Sequence, residues 1–243
     1  MLHTESLPVS GSGFADLSQA RLANYLLGIV GDHELPVDQG AWVRRLTQLG
    51  FMVEVENNAP VCSIVGLVLF GLRPRRLLRQ AGIRWMAFEG NDKSYNALDD
   101  TVLDAPLVGL WQGTPGSSDS LESGLFDSFV ERIRPFVSDE ADDGGESFRR
   151  DRSWHYPVQA LREAVVNALA HRDWTRVNEV EVVRYADRLE IVSPGALQNA
   201  MTVEKMVAGQ RSARNPIIVD VLRDYGYVDA RGIHPRCCYA APF

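Results

Sequence analysis

An α/β fold is what this chain of 243 residues predicts, on three observations. Some segments space their apolar residues three and four apart, as amphipathic helices do. Others are apolar runs or alternate with a period of two, as strands do. The two kinds are interleaved along the chain, so helices and a sheet are expected to share a core. Hydrophobic residues at 45% and charged residues at 23% exclude disordered, collagen-like and coiled-coil classes. Twenty-five Lys and Arg against 32 Asp and Glu leave a net charge of −7, which excludes a broad positive field for phosphate backbones. Cys62, Cys237 and Cys238 form no disulfide framework or usual metal-ligand spacing. The N-terminal residues lack a basic region followed by an apolar run. Ile64 to Phe70, the most hydrophobic stretch, is too short to span a bilayer, so a cytoplasmic protein with no membrane partner is expected.

Residues 1–13, rich in Ser and Gly and without periodicity, read as a disordered lead-in. An α+β region is expected over 14–137. Asp16 caps a helix carrying Leu17, Leu22, Tyr25, Leu26 and Ile29, and a second helix covers Asp38 to Leu49 and ends at Gly50. Val61 to Phe70 and Ile83 to Phe88 read as paired strands. Between them Arg73, Arg75, Arg76 and Arg79 form the one strongly basic stretch, a solvated connection or a grip on phosphate. Helical spacing returns from Asp119 to Val137, and the acidic, glycine-containing residues 138–151 read as a linker.

The informative segment is 152–232. Pro157 suits a helix start, and the residues up to His171 are good helix formers. At about 100° per residue, with Glu163 at 0°, Asn167 lies near 40° and His171 near 80°, whereas Leu161, Val165, Val158 and Leu169 fall at about 160–240°. The polar trio therefore points away from the apolar stripe, as a solvated face or as part of a site. Glu179 to Tyr185 and Arg188 to Ser193 read as a hairpin turning at Ala186-Asp187 and ending at Ser193-Pro194-Gly195. A helix with Glu and Asn on one side, beside a hairpin ending in a glycine turn, can floor a nucleotide. The carboxylate positions water, the carboxamide oxygen ligates Mg²⁺, and the turn admits a base to the backbone. Farther on, Asn215 suits an N-cap and Pro216 a first helical position, and Arg214 can reach a phosphate at that helix start.

Tyr156-Pro157 through Trp174, then Asp187 through Leu197, then Ser212 through Ile218, preceded by Ser63 to Gly71 and Ala81 to Arg84, resemble one family. It comprises bacterial transcriptional regulators and RecG-like ATP-dependent DNA helicases whose C-terminal part is a divergent GHKL ATPase domain, the gyrase, histidine-kinase and MutL type. The resemblance implies a GHKL-like α/β sandwich over 152–232 that binds ATP and Mg²⁺. It makes Glu163 the general base and Asn167 the magnesium ligand, with the Ser193-Pro194-Gly195 turn at the base. Apart from the resemblance, Arg214 and His171 are further candidates for nucleotide contact, His171 alternatively a helix-terminal side chain on the last carbonyls. Ser193 stands where typical GHKL enzymes carry an adenine-binding Asp. The family further implies an N-terminal Schlafen/AlbA-type domain missing here, leaving DNA contact to that domain or to Arg73, Arg75, Arg76 and Arg79. Residues 233–243 form an atypical tail without the glycine-rich segment that closes over phosphates. No G-x-x-x-x-G-K-[ST] loop occurs, so unwinding of DNA is not expected. The alternative is a non-catalytic nucleic-acid-associated regulator that keeps the fold as a scaffold.

Overall fold

The computed structural model describes residues 3–32, 34–112, 120–140, 152–196, 202, 204–205 and 213–228. The chain is a mixed α/β protein. Its main sheet has four strands, β3 (Ile83–Ala87), β4 (Asp99–Leu103), β9 (Val180–Arg184) and β10 (Leu189–Val192), in the order β10-β9-β3-β4. β9 and β10 form the expected antiparallel hairpin, with Ile191 opposite Val182. β3 runs parallel to β9, with Trp85 opposite Val182. Alternation along each strand sorts the side chains into two faces. Ile83, Trp85, Val180 and Val182 join the main core, which also contains α4 (Leu125–Val137) and α5 (Val158–His171). Met86, Phe88, Val183 and Tyr185 form a small cluster on the other face.

The regions expected at 14–137 and 152–232 therefore share one sheet and one core. Burying Trp85 takes groups from both: it meets Phe129 edge-on at 6.2 Å and lies in register with Val182. Ser138–Glu140 (β7) and Arg152–Trp154 (β8), at the two ends of the expected linker, pair as antiparallel strands. The rest of the linker and the 233–243 tail lie outside the described residues.

The expected strand over Val61 to Phe70 is mostly a helix. Met52–Val53 (β1) and Val61–Cys62 (β2) pair briefly, and α3 then spans Ile64–Phe70. The Ser63 hydroxyl accepts the Gly66 N–H at 3.1 Å and caps it. All seven residues of α3 are buried, so no polar face marks a helical period. A Cβ on Gly66 would stand 2.1 Å from the Phe51 carbonyl oxygen, so only glycine lets this helix lie against that backbone.

Two helix starts also move. Ser18, not Asp16, accepts the Arg21 N–H and begins α1 (Gln19–Ala23), which continues as a π-helix over Asn24–Val30 and stops at left-handed Gly31. α2 (Gln39–Gln48) forms where a helix is expected, with Asp38 outside it as a cap that accepts the Ala41 N–H. At the start of the expected helix from Asp119, Ser120–Glu122 (β6) instead pairs with the preceding Leu110–Trp111 (β5), and α4 begins only at Leu125.

The described part of the expected lead-in is packed. The Val9 N–H donates to the Cys62 carbonyl at 2.9 Å, and Glu5 is fully buried. Its partner lies more than 200 residues away, so local composition carried no trace of it.

Candidate functional site

α5 forms where the sequence places it and buries Leu161, Val165, Val166 and Leu169. Glu163 and Asn167 lie on its other side, half-buried, and His171 is exposed at its last turn. The two-faced helix is thus present, and its carboxylate and carboxamide stand one turn apart.

The hairpin end is tied to this helix. The Ser193 hydroxyl donates to the Ala168 carbonyl at 2.7 Å, so the residue at the expected base-binding position is spent on joining the turn to α5. The Asp173 N–H donates to the Pro194 carbonyl at 2.8 Å. Gly195 has φ +124°, and a Cβ there would lie 2.7 Å from Arg214 Nη1 and 2.8 Å from Asp173 Cβ. The glycine thus lets Arg214 and Asp173 close against the turn.

Arg214 does not stand free to meet a phosphate. Its guanidinium lies 3.4 Å from the Asp173 carboxylate and donates to the Ala196 carbonyl. Burial raises the Asp173 carboxyl, but the hydroxyl and N–H of Thr175 and the charge of Arg214 outweigh it and hold it below the usual range.

α6 (Pro216–Asp224) starts at the expected place but is not capped by Asn215. That side chain, fully buried, donates to the carbonyls of Ala170 at 2.8 Å and Arg172 at 2.9 Å, closing the C-terminal end of α5 instead. The cap comes from Glu5, whose two carboxylate oxygens accept the N–H groups of Ile217 and Ile218, each at 2.9 Å. The anion favoured at this helix start is therefore a carboxylate of the chain itself. Burial pushes the Glu5 carboxyl up, against the lowering effect of those two N–H groups.

Arg172 is another residue the sequence reading passed over. It is fully buried, stacked 4.4 Å over Trp174, and donates to the carbonyls of Gln80, Arg176 and Asn178 at 2.7, 2.8 and 2.9 Å. Burial pulls its guanidinium down to about 10, against Asp173 and Glu179. Trp174 two residues on was the one available signal, since an arginine beside an aromatic can stack on it.

A hollow of about 390 Å³ opens beside the hairpin end, lined by Arg176, Asn178, Glu179, Glu181, Val192 and the backbone around Gly195. Glu181 and Val192 are a cross-strand pair on the face away from α5, and neither Glu163 nor Asn167 lines this hollow. Among the described residues no cluster of three or more His, Cys, Asp or Glu side chains is placed to hold a metal ion. No described helix is long and apolar enough to cross a membrane.

Two of the four arginines of the basic stretch are held in ion pairs, while Arg73 and Arg79 are exposed. Arg75 pairs with Glu179 at 2.9 Å, and Arg76 pairs with Asp16. Both arginines are engaged in holding the fold.

No functionally curated protein matches this chain. Among solved structures, the DIP2311 protein of Corynebacterium diphtheriae shares the fold, with a TM-score of 0.58 and 24% identity. The likeness covers 95% of this chain and 41% of that one, so the chain spans less than half the length of that protein. Residues 178–233, from the start of the hairpin through α6, match the family described as "Putative ATP-dependent DNA helicase recG C-terminal". This match, to less than a quarter of the chain, makes the hairpin and α6 similar to the C-terminal, ATPase-like part of that family, and it leaves out α5.

Proposed function

We propose that the chain is an ATP-binding regulatory module in which Glu163 and Asn167 of α5 face the phosphate end of the nucleotide. The observation that carries this is the match of the hairpin and α6 to an ATPase-like family, with a half-buried carboxylate and carboxamide on the helix tied to that hairpin. Mg²⁺ commonly takes one or two protein oxygens and completes its shell with phosphates and water, so a site without a protein cage of ligands still suits it. Asn167 would hold that ion, which when bound neutralises phosphate charge. Glu163 orients a water and accepts its proton, so any hydrolysis depends on this carboxylate. The Ser193-Pro194-Gly195 turn offers backbone rather than a carboxylate to the base. One charge-assisted hydrogen bond is worth about 1.5–3 kcal/mol, so affinity about one to two decades below that of a site with the acid is expected. No DNA contact is assigned to Arg75 or Arg76, because both are held in ion pairs.

Titration with a fluorescent ATP analogue and Mg²⁺ tests the proposal. Saturable binding by the intact chain is expected, abolished in Asn167→Ala, whereas Glu163→Gln keeps binding and loses hydrolysis. Absence of saturable binding by the folded wild-type chain refutes it.

A further inference from the structure

The N-terminal strap is joined to the candidate site by a continuous series of contacts. Residues 3–9 lie across α3, with the Ile64 N–H donating to the Leu7 carbonyl at 3.0 Å. From this strap Glu5 holds the first free N–H groups of α6. The two residues just before α6 both reach the site: Asn215 closes the end of α5, and Arg214 closes the turn at Gly195 against Asp173. Ser193 and Asp173 then bind that turn back to α5 and the loop after it.

We propose that Glu5 is a positioning residue for the nucleotide site. It touches no nucleotide; it fixes the start of α6, and Asn215 and Arg214 carry that constraint to the last turn of α5 and to residues 193–196. The functional part of this inference rests on the ATP-binding proposal, whereas the mechanical part does not. A buried carboxylate that accepts two helix N–H groups cannot be replaced without leaving at least one of them unsatisfied, so the constraint is weakened or lost at a defined point. Any event that pulls residues 3–9 off α3 would loosen the site in the same way.

The test uses the full chain with Glu5→Gln, which keeps the volume and one acceptor, and Glu5→Ala. Hydrogen exchange is followed at residues 168–173, 193–196 and 214–220, with β3 as a control for folding. In parallel, the fluorescent ATP analogue is titrated with Mg²⁺. Exchange is expected to rise in all three segments in Glu5→Ala, with the analogue bound about tenfold more weakly, as befits loss of one helix cap, and with an intermediate effect in Glu5→Gln. If Glu5→Ala fails to fold, as β3 exchange would reveal, Glu5→Gln carries both measurements. Faster exchange confined to Ile217 and Ile218, with 168–173, 193–196 and affinity unchanged, overturns the inference. If the wild-type chain binds no analogue, ATP binding is what fails, and the exchange pattern alone decides whether Glu5 governs the turn.

Discussion

Replacing Arg172 with alanine removes a cation that organises the loop between α5 and β9. Its guanidinium satisfies three carbonyls, from Gln80, Arg176 and Asn178, at 2.7–2.9 Å, and covers the Trp174 ring. Hydrogen bonds to a charged group contribute about 1.5–3 kcal/mol each, so the three amount to about 5–9 kcal/mol before any cost is subtracted. Holding a charged group out of water costs several kcal/mol, and alanine is spared that cost. The difference is a net loss of about 3–5 kcal/mol, since three buried carbonyls lose their donor. For a chain of this size that lowers the melting temperature by roughly 10 °C. Urea unfolding followed by tryptophan emission measures it, since Trp174 lies directly against the deleted group. Arg172→Lys keeps the charge but not the planar fork that reaches three carbonyls, and about half the loss is expected. Arg172→Ala within about 1 kcal/mol of wild type would refute this account of the loop.

Three other outcomes are expected. Gly66→Ala forces a methyl group against the Phe51 carbonyl in a buried helix, and a loss of about 2–3 kcal/mol in urea unfolding is expected. Gly195→Ala requires a left-handed alanine and pushes Arg214 and Asp173 apart; calorimetry should show a loss of about 1–3 kcal/mol, and an unchanged melting temperature would show that the turn is not clamped. The Asp173 carboxyl is held below its ordinary value, so its contribution is complete above about pH 4–5 and disappears as pH falls through its depressed folded value. The stability gap between wild type and Asp173→Asn should therefore narrow as urea unfolding is repeated at progressively lower pH.

Periodicity was enough to place α5, α2 and the β9–β10 hairpin, because each carries an apolar stripe or alternation that its own residues define. The polar face of α5 was legible for the same reason: residues 163 and 167 are one helical turn apart whatever surrounds them. α3 was illegible as a helix because packing surrounds all of it, which erases the polar face that separates a buried helix from a strand. Asn215 departs from its expected cap, and Ser193 and Arg214 carry contacts within the fold, on a related ground. A hydroxyl, a guanidinium and a carboxamide are ready ligands in isolation, and only the fold shows that backbone carbonyls and Asp173 already engage them.

The sequence by itself determined the α/β class, the helix that carries Glu163 and Asn167, and the hairpin beside it, since these follow from spacing within short segments. Tertiary structure alone decided that the two expected regions share one sheet, through the pairing of β3 with β9. It alone decided that Arg172 is an interior cation and that Glu5 caps a helix 212 residues away. The physical reason is common to all three: a hydrogen bond or a strand pair between distant residues satisfies groups whose need is visible locally, but whose partner is chosen only when the chain folds back on itself.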